Sequence, residues 1–286
     1  MSILSIQSHV AYGHVGNDAA VFPLQLMAHE VWPIHTVQFS NHTGYGAWTG
    51  QVFDAAIVGE LMKGIAARGV LPACRAVLSG YMGSAAIVRE VAGALAAVRA
   101  ANPGALYCCD PVMGDVGRGI FVAPDIPEMM IATAIPLADI VTPNQFELEL
   151  ITKRSIATAA DAVAAAREVL ALGPETVIVT SLVTADAAAE DIRVLAVTAE
   201  GAWTVTTPLL DFPIPLNGAG DALAALFLGH TLNGLSVPEA ASATVSGLFQ
   251  VFATTHAAQT RELQLIATGA KMLAPEQTFP AVPLAV

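Results

Sequence analysis

Asp221 is the acidic residue of LNGAGDALAALFLGH, Leu216 to His230, a stretch that places a glycine turn and a carboxylate at the start of an apolar helix. Gly218 and Gly220 leave the backbone free to turn tightly and approach a ligand. The exposed amides of the next helical turn, with its dipole, favour an anion beside Ala219. Asp221 then stands where a transferring phosphoryl group would be held and can serve as a base. The competing reading makes it a helix cap. A dinucleotide fingerprint is excluded because Leu223 occupies the position of its third glycine. A Walker A loop is excluded because Gly-Lys-Ser/Thr occurs nowhere.

Further carboxylates stand where strands should end. Asp110 closes the apolar run Ala105 to Cys109, and Asp115 follows in DPVMGD, with glycines at 114, 117 and 119 suggesting a mobile flap. In VTPNQFELELIT, Thr142 and Asn144 precede Glu147 and Glu149, with Pro143 suited to a helix's first turn. The two glutamates lie ~200° apart on a helical wheel, so only one can face a pocket. Glu147, on the face of Asn144, is chosen, and Glu149 is expected to face solvent. Taken singly, each acid is explained as a cap or a solvated group. Three at successive strand ends point to Mg²⁺, which takes few carboxylates and completes its shell with phosphate and water; Asp110 and Glu147 are its expected ligands.

Neutral groups gather near the chain's beginning. Ser8 follows a short apolar strand in SHVAYGHVGN, Thr43 and Gly44 sit in FSNHTGYG, and Tyr81 lies in the GYMG that ends a later strand. Ser8 reads equally as a turn residue. His9 and His14 lack a partner at ligand spacing, so no zinc site is expected.

To position these residues the chain needs alternating strands and helices. Strands are expected at Ser2 to Gln7, Val31 to Gln38, Arg75 to Ser79, Ala105 to Cys109, Asp139 to Val141 and Thr176 to Thr180, the last leading into Ser181. Helices are expected from near Asn17 or Asp18, from about Gln51 to Ala67, over Ser84 to Ala101 and over Thr158 to Leu172. Ala222 to Asn233, Pro238 to Thr254 and about Gln259 to Met272 should close the fold, before an irregular tail. The segment before Thr207 alternates as an edge pair of strands. This β-α-β period implies an α/β fold with a mostly parallel sheet.

With 55% hydrophobic and 13% charged residues, the 286-residue chain can fill one large α/β core, and no linker or repeat divides it. A net charge of −12 argues against nucleic acid or anionic membrane as a partner. Cys74, Cys108 and Cys109 lack metal-ligand spacing and read as buried thiols in a reducing cytosol. No apolar run reaches the ~18 residues of a membrane span. A soluble cytoplasmic protein is expected.

Taken together, SHVAYGHVGN, QFSNHTGYG, LSGYMG, CDPVMGD, TPNQFELE and NGAGD resemble, in order and over nearly the whole length, the pyridoxal/pyridoxamine kinase branch of the ribokinase superfamily. The resemblance implies a three-layer α/β/α domain over residues 1–286, usually a homodimer. It also implies transfer of the γ-phosphate of MgATP to the 5′-hydroxyl of a B6 vitamer, often assisted by K⁺. Ser8, Thr43 and Gly44 match vitamer positions, Tyr81 a ring-packing position, and Asp221 both the base and a vitamer contact. Asp110, Asp115, Thr142, Asn144 and Glu147 match the metal and phosphate side, Thr180 and Ser181 the nucleotide, and Gly218, Ala219 and Gly220 the anion hole. Gly44 stands where the bacterial type commonly has glutamine, Thr180 where it has lysine, and Asn217 where an apolar residue is usual. With no Walker lysine and no lysine at 180, phosphate charge is expected to be met by magnesium and backbone amides more than by lysine. Two other readings remain: a hydroxymethylpyrimidine kinase, and a non-catalytic pyridoxal-phosphate carrier or regulator.

Overall fold

Residues 1–285 are described by the computed structural model; Val286, the end of the expected domain, lies outside the described residues. Alternation of strand side chains builds the molecule. In β1 (Ser2–Tyr12) Ile3 faces one apolar cluster, and Leu4 and Ile6 face the other. The same division separates Cys108 from Cys109 in β5 (Leu106–Cys109). A strand buried on both faces must be covered on both, and helices supply both layers.

The remaining strands are β2 (Glu30–Asn41), β3 (Gly50–Val52), β4 (Cys74–Ser79), β6 (Gly114–Asp115), β7 (Gly119–Ile120), β8 (Ile140–Val141), β9 (Thr176–Leu182), β10 (Asp191–Val197), β11 (Ala202–Pro208) and β12 (Val282–Pro283). All but β6 and β7 form one ten-stranded sheet in the order β12-β11-β10-β9-β8-β5-β4-β1-β2-β3. The run from β9 to β2 is parallel, while β3 at one edge and β10 to β12 at the other pair antiparallel. One layer holds α2 (Ala55–Ala66), α3 (Ala85–Ala101), α4 (Ile126–Met129), α5 (Ile135–Leu137), α6 (Gln145–Thr152) and α7 (Ala159–Leu170). The other holds α1 (Asn17–Leu26), α8 (Ala219–Leu232), α9 (Val237–Ala258) and α10 (Leu265–Thr268). This is the three-layer α/β/α architecture expected from the sequence.

Local chemistry moved several boundaries. The helix expected from Gln51 begins at Ala55, where the Asp54 carboxylate caps it, and Gln51 lies in edge strand β3. The helix expected from Gln259 to Met272 is broken: Gln259 turns left-handed (φ 51°) and closes α9, leaving only α10 and a short 3-10 turn at Gly269–Met272. The tail expected to be irregular pairs with β11 through Val282 and Pro283. Pro143 is not in a helix's first turn, because Asn144 caps α6 and Pro143 precedes the cap.

Candidate active site

Chain order reverses at β1, whose neighbours are β2 and β4, so a crevice opens beyond the carboxyl ends of the parallel strands. A cleft occupies it. Ser8, Thr43 and Tyr81 line it together with Asp110, Asp115, Thr142, Asn144 and Glu147. Thr180, Ser181, Gly218, Ala219, Gly220 and Asp221 line it as well. Gly44 does not. A side chain at 44 would meet Asn217 Nδ2 at 2.8 Å and His42 Nδ1 at 2.9 Å. The two departures Gly44 and Asn217 are therefore in contact: glycine at 44 leaves the room that Asn217 fills.

Ser8 is not a turn residue. It lies inside β1, buried, at the register shift between Gln7 and His9. Gly16 (φ 56°) packs directly on its hydroxyl, which no Cβ at 16 would allow. Tyr81, just past β4, is half-buried against Val10, Val37 and Phe39, and burial raises its phenol pKa.

Asp110 and Thr142 follow β5 and β8, each backbone amide continuing the ladder to the neighbouring strand. Asn144 caps α6 by accepting from the Glu147 amide at 2.9 Å, and its Nδ2 donates to the Gly114 carbonyl at 2.8 Å. Glu147 reciprocates by accepting from the Asn144 amide (2.9 Å) and from Met113 (2.8 Å). It thus braces the root of the β6–β7 hairpin besides facing the cleft. Glu149, expected in solvent, is half-buried and accepts from the Ile156 amide at 2.7 Å, holding the chain that leaves α6. Gly218 (φ 86°) packs on the His14 carbonyl, where a Cβ would collide. Gly220 has no left-handed backbone and its nearest neighbour would be Asp110 Oδ2 at 3.6 Å, so the tight turn belongs to Gly218 alone.

These acids sit close enough to resist charging together. Burial, then Glu147 and Asp221, push the Asp110 carboxyl well above the usual carboxylate range. Burial lifts Glu147 to about 8 against the pull of three backbone amides. Burial also raises Asp221, with Asp18 adding to the effect and the Gly16 amide opposing it. Among the described residues the buried Thr142 hydroxyl has no partner within hydrogen-bond distance, although it lies near enough to Asp110 to draw that carboxyl down. Among the described residues no group of three or more His, Cys, Asp or Glu side chains forms a metal cage. The arrangement can hold a polyanion brought with cations, present it to helix amides, and place a carboxylate beside it.

Sequence reasoning missed three features. Glu262 is buried and joins three loops: Oε1 accepts from His42 Nε2 (3.0 Å) and Tyr45 Oη (2.7 Å), and Oε2 accepts from the His14 amide (3.2 Å). No motif surrounds it. Arg118, in the hairpin tip, also lines the cleft. An apolar cavity lined by Ile192, Val194, Phe249 and Phe252 shares Thr180, Ser181, Ala219 and Gly220 with the cleft. Its phenylalanines fall at i and i+3 on α9, which alone reads as ordinary core spacing.

A doubly covered parallel sheet, a glycine-turned helix N-terminus and a carboxylate in its first turn define a small-molecule kinase of the ribokinase-like class. Residues 71–261 match the family model described as phosphomethylpyrimidine kinase. The pyridoxal kinase PdxY of Deinococcus radiodurans is 58% identical over 284 residues, covering 98% of this chain and 95% of that protein. That of Rubrobacter xylanophilus is 56% identical, covering 98% and 96%. The structure of pyridoxal kinase from Leishmania donovani in complex with ADP and pyridoxamine superposes with a TM-score of 0.92 at 31% identity, covering 99% of each chain. The chain belongs to the pyridoxal kinase family.

Proposed function

We propose that this chain transfers the γ-phosphoryl group of ATP to the 5′-hydroxyl of a B6 vitamer, pyridoxal with pyridoxamine and pyridoxine as further acceptors, using one domain over residues 1–286. The observation that carries this reading is the cleft itself. Asp221 and the amides of Gly218 to Gly220 share it with the neutral groups Ser8, Thr43 and Tyr81. Family membership supplies the substrate class.

In the step, the vitamer's O5′ forms a bond to Pγ while the bond from Pγ to the bridging oxygen breaks, and ADP leaves with that electron pair. The hydroxyl proton passes to the Asp221 carboxylate. The transition state is loose, so positioning and electrostatics carry most of the acceleration. The dipole and free amides at the start of α8 face the charge on the transferring oxygens. Ser8 and Thr43 hydroxyls can hydrogen-bond ring substituents within a pocket made apolar by Val10 and Phe39. The shared cavity at Phe249 and Phe252 suits a flat, apolar nucleobase, with Thr180 and Ser181 at the junction.

Mg²⁺ fits the donor set. Two carboxylates whose charge is disfavoured by burial, and at Asp110 by Glu147 as well, with the buried Thr142 hydroxyl beside them, are a hard-oxygen site short of positive charge. Asp110 is the freer ligand, since Glu147 already accepts three amides. When bound, the ion would offset charge on the phosphates. A supporting K⁺, a homodimer and a cytoplasmic location complete the reading; the three cysteines are all free and buried, as suits a reducing compartment.

The test is turnover with pyridoxal, pyridoxamine, pyridoxine and hydroxymethylpyrimidine, each with and without MgATP. Phosphorylation of a B6 vitamer only with MgATP is expected. Preference for hydroxymethylpyrimidine, or binding without turnover, would replace this reading by one of the two other readings.

A further inference from the structure

The cleft is lined by four carboxylates, Asp110, Asp115, Glu147 and Asp221, and among its described lining residues Arg118 is the one guanidinium or ammonium group. A polyanionic triphosphate must nevertheless be held there. Surrounded by acids, Arg118 pairs with none: among the described residues its Nη1 donates to the neutral Asn217 Oδ1 at 3.2 Å, and its Cζ lies 4.8 Å from the centre of the Phe121 ring. Four other Arg and Lys side chains, Arg99, Arg154, Arg193 and Lys271, are in ion pairs. The charge of Arg118 is thus uncommitted. It is also parked one residue from Gly218, where the amides of the anion hole begin.

The backbone around Arg118 is built to move its head while keeping its base. Gly117 (φ 78°) and Gly119 (φ 69°) flank it, and a Cβ at either would meet nothing within 4 Å. Glycine at these places answers to the left-handed conformation of the tip and not to crowding. The hairpin's root is fixed by the Asn144 to Gly114 bond (2.8 Å) and the Glu147 to Met113 bond (2.8 Å). A firm root with a glycine tip lets a long side chain cross a short distance onto a ligand while the strands stay paired.

We infer that Arg118 is a catalytic residue that leaves Asn217 when the nucleotide binds and sets its guanidinium on the transferring γ-phosphoryl group. This rests on the kinase reading above. It adds one side-chain cation to the expectation that magnesium and backbone amides, more than a lysine, meet the phosphate charge. The planar fork of arginine matches two phosphate oxygens, and charge spread over the equatorial oxygens of a loose transition state is where such a cation acts. Asn217 serves as the resting acceptor, and Gly44 makes its place.

The test compares wild type with Arg118→Met, which keeps the stem on Phe121, and Arg118→Lys, with thermal melting to verify folding. Turnover of pyridoxal should fall about 10²-fold in Arg118→Met, the order seen when one preorganised transition-state donor is removed. Arg118→Lys should recover part of it. Affinity for the non-hydrolysable β,γ-imido analogue of ATP should drop at least fivefold while affinity for ADP changes less than twofold. Turnover within threefold of wild type, or equal losses for ADP and the triphosphate analogue, would overturn the assignment. A wild-type protein that phosphorylates no vitamer would refute the functional reading instead, and the ADP-against-triphosphate comparison would still decide the role of Arg118.

Discussion

The two halves of the cleft are built on opposite principles. On the side proposed for the phosphates, burial first, and for Asp110 also the charges of Glu147 and Asp221, raises the carboxyls of Asp110, Glu147 and Asp221, so charging them all together is disfavoured. On the vitamer side Glu262 accepts from His42, Tyr45 and the His14 amide at once, and its carboxylate is held below the usual range although burial works against it. One half is completed only by what binds to it. The other is assembled beforehand around one fully employed carboxylate, with the Arg261 guanidinium stacked 3.7 Å from the centre of the Tyr45 ring. An unsatisfied polar site stores electrostatic free energy for a ligand, and a satisfied one stores shape.

If that contrast is right, the largest effect belongs to the one carboxylate that takes part in bond making. Asp221→Asn keeps size and an acceptor oxygen, so turnover should fall by about 10² to 10⁴ with little change in affinity for ATP. Steady-state kinetics with pyridoxal checks this. A cap alone would let Asn serve within a factor of a few, so near-normal turnover in a folded variant would return Asp221 to a structural role.

The same contrast makes Glu262 a positioning residue for the vitamer alone. Glu262→Ala leaves His42, Tyr45 and the His14 amide without their acceptor, at about 1 to 3 kcal/mol for such a buried bond, which is roughly a five- to 150-fold rise in KM for pyridoxal. KM for ATP should move less than threefold, and Glu262→Gln should recover most of the loss by keeping an acceptor. Equal rises for both substrates would mean that the two halves are not independent. Ser8→Ala is the smaller version, deleting one hydroxyl: pyridoxal should weaken by ~1 kcal/mol, five- to tenfold, and ATP hardly at all. An equal effect on ATP would show that the hydroxyl supports Gly16, and through it Asp221, instead of the ring.

How far each half could be read beforehand follows from the same physics. The phosphate side announces itself, because a glycine turn before a helix and acids at strand ends are local patterns with a mechanism attached. Gly218, Asp110 and Asn144 are legible for that reason, as are the strands and helices that carry them. The vitamer side is assembled by residues distant in sequence: Glu262 meets His14 and His42 across more than two hundred positions, a closure that leaves no periodic trace. The broken helix after Gln259 has the same cause, since the chain leaves helical geometry there and then carries Glu262 into the loops. Gly44 and Asn217 looked like two separate departures, and only their contact explains them as one.

The smallest effect concerns acid, and it lies under the vitamer half. His35 stacks on His9 with ring centres 4.2 Å apart, and its Nδ1 accepts from Asn17 Nδ2 at 3.0 Å, a bond that requires that nitrogen to be unprotonated. Burial, then the charge of His9, holds its pKa below the ordinary 6.5. A group whose pKa is lowered on folding contributes stability that is complete above its unfolded value and is lost as pH falls toward the folded one. The histidine contribution to stability should therefore be flat near pH 7 and decline below about 6.5, opposite in sign to that of Glu147, whose carboxyl, raised to about 8, gains stability as pH falls through that value. His29 and His230, both lowered first by burial, add the same sign from the far end of α8. His35→Gln keeps an acceptor for Asn17 and cannot be protonated, so the acid slope should shrink by at most one proton's share while stability at neutral pH changes little. Because Asn17 also donates to the carbonyl of Gln7, the neighbour of Ser8 in β1, loss of this bond should loosen the vitamer side first. In wild type at pH 5.5, KM for pyridoxal should rise more than KM for ATP, and in His35→Gln that difference should narrow. A slope unchanged by His35→Gln would place the acid sensitivity at His29 and His230, away from the cleft, and leave the vitamer half no more sensitive to protons than the rest of the fold.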